Sequence, residues 1–146
     1  MWILDVVSGV GKTSSIQVAI LMEFAKSKDT PKKVTEIMAV LKESFEGLWE
    51  PKKGTIYPSV HNLHVRGYLK LHAVKPYGYS ISEKGLEAID KIISNINLQM
   101  EAYMQYYSFL LNNYSQIDQK KAKETSTNIT KSISEYIKQM NSLNGK

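Results

Sequence analysis

The sequence predicts a mainly α-helical fold: three short helices, a two-stranded β hairpin, a long helix and a second C-terminal helix. Three observations carry that expectation. Apolar residues recur at spacings of three and four through residues 15–66, interrupted at Thr30-Pro31 and between Gly47 and Pro51. Leu69, Leu71 and Ala73 then alternate with polar residues up to a Pro76-Tyr77-Gly78 turn. From Leu86 to Tyr114 the apolar positions follow a 3,4,3,4,3,4,3,4 spacing without a break.

The chain begins with an apolar stretch (Trp2, Ile3, Leu4, Val6, Val7) and the string Gly9-Val10-Gly11-Lys12-Thr13. A phosphate-binding loop needs a glycine five positions before Gly11, and Val6 stands there. No series of apolar parallel strands follows either. Residues 1–13 therefore read as an N-terminal extension ending in a flexible turn, with Thr13 or Ser14 capping the first helix. That helix, Ser15 to Lys26, carries Ile16, Val18, Ala19, Ile20, Met22 and Phe24 and is buried over much of its surface. Thr30 is the expected N-cap of the second helix, with Pro31 in its first position. Val34, Ile37, Met38, Leu41 and Phe45 form its apolar face. Residues 47–51 make a connector in which Trp49 plugs the end of the helical core.

The third helix, 54–66, separates into two faces at 100° per residue. Ile56, Val60 and Leu63 lie on one side, flanked by Tyr57 and His64. Thr55, Pro58, Ser59, Asn62, Val65 and Arg66 lie on the other, where short polar groups and one guanidinium suit a flush approach to a DNA groove. Gly67 stops the helix. Two strands, Leu69 to Ala73 and Tyr79 to Ser82, then form a two-stranded hairpin.

Ser82 is the expected N-cap of the long helix. Its seam comprises Leu86, Ile89, Ile93, Ile96, Met100, Tyr103, Tyr107, Leu110 and Tyr114. Such a helix, ~45 Å long for ~30 residues, exceeds what a small domain can cover, and a second copy of itself is the simplest partner. After a polar stretch from Gln116 to Ser126, Ile129, Ile133, Tyr136, Met140 and Leu143 resume the helical spacing. The Ser/Thr/Asn-rich start at Thr125 makes this last helix weak by itself.

Composition bounds the function. The net charge is +5, and the whole excess lies between Pro51 and Ser82, where Lys52, Lys53, Arg66, Lys70 and Lys75 stand without one Asp or Glu. A basic stretch is most often only a solvated face, but this one coincides with the groove-facing helix, which points to nucleic acid. The absence of cysteine excludes disulfides and thiolate metal sites. No apolar run reaches the ~20 residues of a membrane span, and the start lacks a signal-peptide pattern, so a cytoplasmic location is the default. No convergent catalytic set is found, and no cofactor is expected. His61 and His64 lie three apart on one helix without a carboxylate beside them, so a polar helix edge explains them better than a metal.

The block Gly47-Leu48-Trp49-Glu50-Pro51, Gly54-Thr55-Ile56-Tyr57-Pro58, Leu63 and Arg66-Gly67-Tyr68-Leu69 resembles the signature of PadR-type transcriptional regulators, and Tyr79-Ser80-Ile81-Ser82 with Gly85 resembles their hairpin exit. The resemblance implies a winged helix-turn-helix dimer that binds double-stranded DNA, with the 54–66 helix as its reader. The wing tip departs from the pattern, with Lys75 and Tyr77 where arginine-rich tips are common. Some such proteins hold flat aromatic effectors against a tryptophan in the dimer helix; here no Trp follows Trp49. The tyrosines of the seam could still line a pocket for a small aromatic effector, though dimer packing is the simpler account.

These readings give two regions, a winged-helix DNA-binding domain over 1–82 and a helical dimerisation region over 83–146. The expected function is a homodimeric repressor reading an inverted repeat. Thr55, Ser59, Asn62 and Arg66 would contact bases; Lys33, Lys52, Lys53, Tyr57 and Lys75 would anchor phosphates. The alternative is a winged-helix module for protein–protein assembly, which would need an acidic partner and would not bind DNA with a steep salt dependence.

Overall fold

The computed structural model describes residues 13–145, so the Gly9-to-Lys12 string and the rest of the N-terminal extension before Thr13 lie outside the described residues. The chain divides into two compact units, Met1–Leu98 and Gln99–Lys146.

In the first unit, α1 (Ser15–Lys26) starts at Ser14, whose hydroxyl accepts from Gln17 N while Gln17 Oε1 accepts from Ser14 N. This reciprocal pair satisfies two amide groups at the helix start. Ile20, Leu21 and Phe24 are wholly buried, whereas Met22, expected inside, is partly exposed. α2 (Val34–Ser44) turns Val34, Ile37 and Leu41 inward. It starts three residues after the Pro31 that the sequence suggested. Lys32 pairs with Tyr79 through two backbone bonds of 2.8 and 2.9 Å, which keeps residues 31–33 extended. The Glu36 carboxylate then accepts from Lys33 N at 2.7 Å. Thr30 and Pro31 are good local start signals overridden by a long-range pairing.

α3 (Lys53–Val65) buries Ile56, Val60 and Leu63 completely or nearly so, as its periodicity predicts. It ends in a Schellman motif: Gly67 N bonds His64 O and Tyr68 N bonds Leu63 O, both at 2.9 Å. Gly67 has φ +85°, a conformation that disfavours any side chain with a Cβ. The hairpin follows, β1 (Leu69–His72) antiparallel to β2 (Gly78–Ile81), with Leu69 opposite Ile81 and Leu71 opposite Tyr79. Leu69 and Ile81 are buried, but Leu71 and Ala73 are exposed, so the apolar alternation of the first strand is buried only at its start. Trp49 sits edge-on to Phe45 at 5.8 Å and packs against the helical core, as expected of a plug.

α4 (Glu83–Ile117) begins at Ser82, whose Oγ accepts from Gly85 N at 3.0 Å and donates to Gly67 O at 2.6 Å. Its first turns belong to the first unit: Gly85, Ala88 and Ile92 are buried, and Leu86 and Ile89 pack against the winged-helix core. Ile96 is half-buried, while Ile93 is exposed. Gly85 has no room for a methyl group, since a Cβ would run into the Tyr68 carbonyl and the Ile81 side chain. Gly85→Ala should therefore destabilise the unit by about 1–3 kcal/mol despite the better helix propensity of alanine. The check is thermal unfolding by circular dichroism: an unchanged or raised Tm would show that α4 does not seat there.

The second unit contains the end of α4 and α5 (Gln119–Asn144). Asp118 caps α5 by accepting from Lys121 N at 3.0 Å, and Ala122 is buried. The lysine-rich stretch from Gln119 is thus already helical, well before the Thr125 start suggested by apolar spacing. Thr127, Thr130, Ser132 and Ser134 each return a hydroxyl to the carbonyl four residues earlier. That bonding lets a Ser/Thr-rich segment remain helical without leaving competing hydroxyls. Of the seam residues here, Tyr107 and Tyr114 are half-buried, while Met100, Tyr103 and Leu110 are exposed. No helix among the described residues is long and apolar enough to cross a membrane.

Candidate nucleic-acid interface

α3 is held from beneath by the buried Ile56, Val60 and Leu63, which turns its opposite face outward. On that face Thr55 and Asn62 are exposed and Ser59 and Arg66 are half-buried, while Tyr57 on the flank is exposed as well. The Ser59 hydroxyl donates to Thr55 O at 2.7 Å, which leaves its oxygen as an acceptor toward solvent. Pro58 lies inside the helix, in its second turn, where its missing N–H deletes the bond that would run to the Gly54 carbonyl.

The lysines expected to meet phosphates come from three elements. Lys52 and Lys53 stand at the start of α3, Lys33 at the start of α2, and Lys75 in the wing loop; all four are exposed. Lys52 Nζ lies 3.3 Å from Glu50 Oε2, but both side chains are solvent-exposed, so the pair is weak and exchangeable. Lys33, Lys53 and Lys75 enter no ion pair among the described residues. Mobile cations beside a helix N-terminus are chemically suited to phosphate oxygens.

Two histidines that looked equivalent in sequence part company. His61 is exposed on α3. His64 turns to the hairpin, with Nδ1 3.1 Å from Leu69 O and its ring edge-on to Tyr79 at 5.7 Å. His64 therefore secures the wing to α3 rather than extending the polar face. Among the described residues no cluster of three metal-ligating side chains is found.

Sequence reasoning missed the groups behind the polar face. Gln17 of α1 donates from Nε2 to Asn62 Oδ1 at 3.1 Å. Arg66 donates from Nη1 to the same oxygen at 3.4 Å and from Nη2 to Thr13 Oγ1 at 3.0 Å, with its guanidinium 4.9 Å from the centre of the Tyr68 ring. Lys84 caps the end of α3 through Arg66 O at 2.9 Å. The available signal was Gln17 itself, a polar residue at the head of the buried 17, 20, 21, 24 stripe.

Residues 24–91 match the model of the transcriptional regulator PadR-like family. No curated protein matches the chain significantly. Among solved structures, a transcriptional regulator from Clostridium thermocellum is similar, at 18% identity and a TM-score of 0.51, over 62% of this chain and 91% of that one. RosR of H. salinarum, in the complex structure of hsRosR-S4, is similar at 13% identity and a TM-score of 0.50, over 76% of this chain and 97% of that one. At these identities the two structures show a shared fold. The matched residues span α2, α3, the hairpin and the start of α4, and over them this chain is similar to the PadR-like transcriptional regulator family.

Proposed function

We propose that this protein is a homodimeric, sequence-specific DNA-binding repressor that reads an inverted-repeat operator with α3. One observation carries the reading: residues 51–82, which hold α3 and the hairpin, contain the chain's entire cationic excess (Lys52, Lys53, Arg66, Lys70 and Lys75) and no acidic residue. Thr55, Ser59, Asn62 and Arg66 then address base edges, while Lys33, Lys52, Lys53, Tyr57 and Lys75 engage phosphates. Residues 1–82 would serve as the DNA-binding region and 83–146 as the dimerisation region.

Support for a second copy comes from apolar surface that a solitary chain leaves wet. Met100, Tyr103 and Leu110 in the second unit are 57%, 76% and 44% exposed, and Ile93 in the first is 51% exposed, each at a position of the apolar repeat read from the sequence. The cleft beside Tyr107, Leu111 and Tyr114 is where a small aromatic effector would act on that seam.

Footprinting on the region upstream of the protein's own gene should give a protected site. Salt titration then separates the two classes of residue. Lys53→Ala should weaken binding to all duplexes alike and lower the salt slope by about one unit. Asn62→Ala should instead narrow the gap between specific and nonspecific DNA by about 1–3 kcal/mol. Indistinguishable effects from the two changes would mean that α3 does not present its reading face as described.

A further inference from the structure

Gln17 belongs to α1, yet its amide ends on α3. We propose that Gln17 is a positioning residue that fixes the polarity of Asn62, so that Asn62 offers only N–H donors and selects guanine over adenine. The inference rests on the reading that α3 contacts base edges, and it names which base one of those contacts prefers.

The polarity follows from groups that can play only one part. The backbone N–H of Ser14 can only donate, so the end of the Gln17 amide that meets it at 3.1 Å is Oε1. The other end is Nε2, which can only donate, so the Asn62 atom 3.1 Å away is Oδ1. A third obligate donor, Arg66 Nη1, reaches the same oxygen at 3.4 Å. An amide oxygen has two lone pairs, and here two donors occupy them. What Asn62 has left for a ligand is the NH2 group of Nδ2.

Gln17 is nearly buried, at 8% exposure, so water does not readily replace it. Its Oε1 bond is also half of the α1 capping box, which ties the amide orientation to the stability of the helix. Arg66 is steadied from its far side by Thr13 and Tyr68. Among the described residues, no buried side-chain nitrogen or oxygen lacks a partner.

An asparagine free to use both amide ends pairs with adenine, accepting from N6 and donating to N7. With its oxygen spent, Asn62 cannot accept from N6. Guanine presents two adjacent acceptors, N7 and O6, in the major groove, and is the edge that matches an NH2 donor pair.

The test is selection of binding sites from a pool of randomised DNA duplexes by the full chain and its variants. Asn62→Ala first identifies the base pair at which preference depends on residue 62. The wild-type protein should select guanine there. Gln17→Glu keeps the shape and the cap, since Glu is equally suited to that capping position. Its second oxygen only accepts, so Asn62 turns Nδ2 toward it, gives up the longer 3.4 Å bond from Arg66 and presents Oδ1 outward, and the guanine-to-adenine ratio should fall by about tenfold or more. A wild-type preference for adenine, or an unchanged ratio in a folded Gln17→Glu, overturns the proposal. Asn62→Asp is a second arm that does not depend on substituting a nearly buried group. Its carboxylate supplies acceptors only, so guanine preference at that pair should vanish, and its persistence overturns the proposal equally. If the wild-type protein enriches no sequence at all, base reading by α3 fails, and the inference falls with it.

Discussion

Ile93→Asp should convert the protein to a monomer and weaken its hold on a two-half-site operator by about 100-fold or more. Ile93 is half exposed in the single chain, at 51%, so the carboxylate costs the isolated fold little. In a paired seam the same carboxylate would be taken out of water without a partner, at a cost of several kcal/mol. The DNA effect is larger than the loss of any one contact. A tethered second reader binds at high effective concentration, and a monomer forfeits that entirely. Light scattering beside a DNA titration separates the two consequences. A variant that stayed dimeric would remove the 86–114 stripe as the interface.

Operator geometry gives the second large effect. A two-fold dimer presents two copies of α3, and both enter the major groove of a straight duplex only if they lie about 34 Å apart, one helical turn. Half-site centres should be about 10 bp apart, or one further turn if the dimer spreads. Inserting about 5 bp between the half-sites rotates one of them to the far face, and affinity should fall toward that of a single half-site. An insertion of about 10 bp should restore part of it. Intact affinity after the shorter insertion would exclude a rigid two-fold reader.

The elements most legible in the sequence are those set by local rules. Ile56, Val60 and Leu63 mark the buried face of α3 because few apolar residues occur there, all at helical spacing, and Gly67 and Ser82 supply the stop and the start on either side of the hairpin. The start of α2 was not legible. Lys32 pairs with Tyr79 through backbone atoms alone, and such a pairing leaves no mark on side-chain chemistry. α5 begins early because Asp118 provides a cap and the lysines after it are good helix formers, features that a count of apolar residues overlooks. Much the same blind spot hid the support of the polar face. Asn62 and Arg66 stand out as surface groups, whereas Gln17 reads as an ordinary polar residue in a buried helix until its two amide bonds are seen.

On DNA, α3 should lie in the major groove with Thr55 facing the bases. The chain has no cysteine, so a single Thr55→Cys carries one DNA-cleaving iron chelate at a defined point of α3. On a duplex selected by the protein, strand cutting should centre on two positions about one helical turn apart, offset as a major-groove probe requires, and should disappear with excess unlabelled operator. Cutting scattered along the duplex, or absent while the labelled protein remains bound, would contradict the account: α3 would then not be the element that reads DNA.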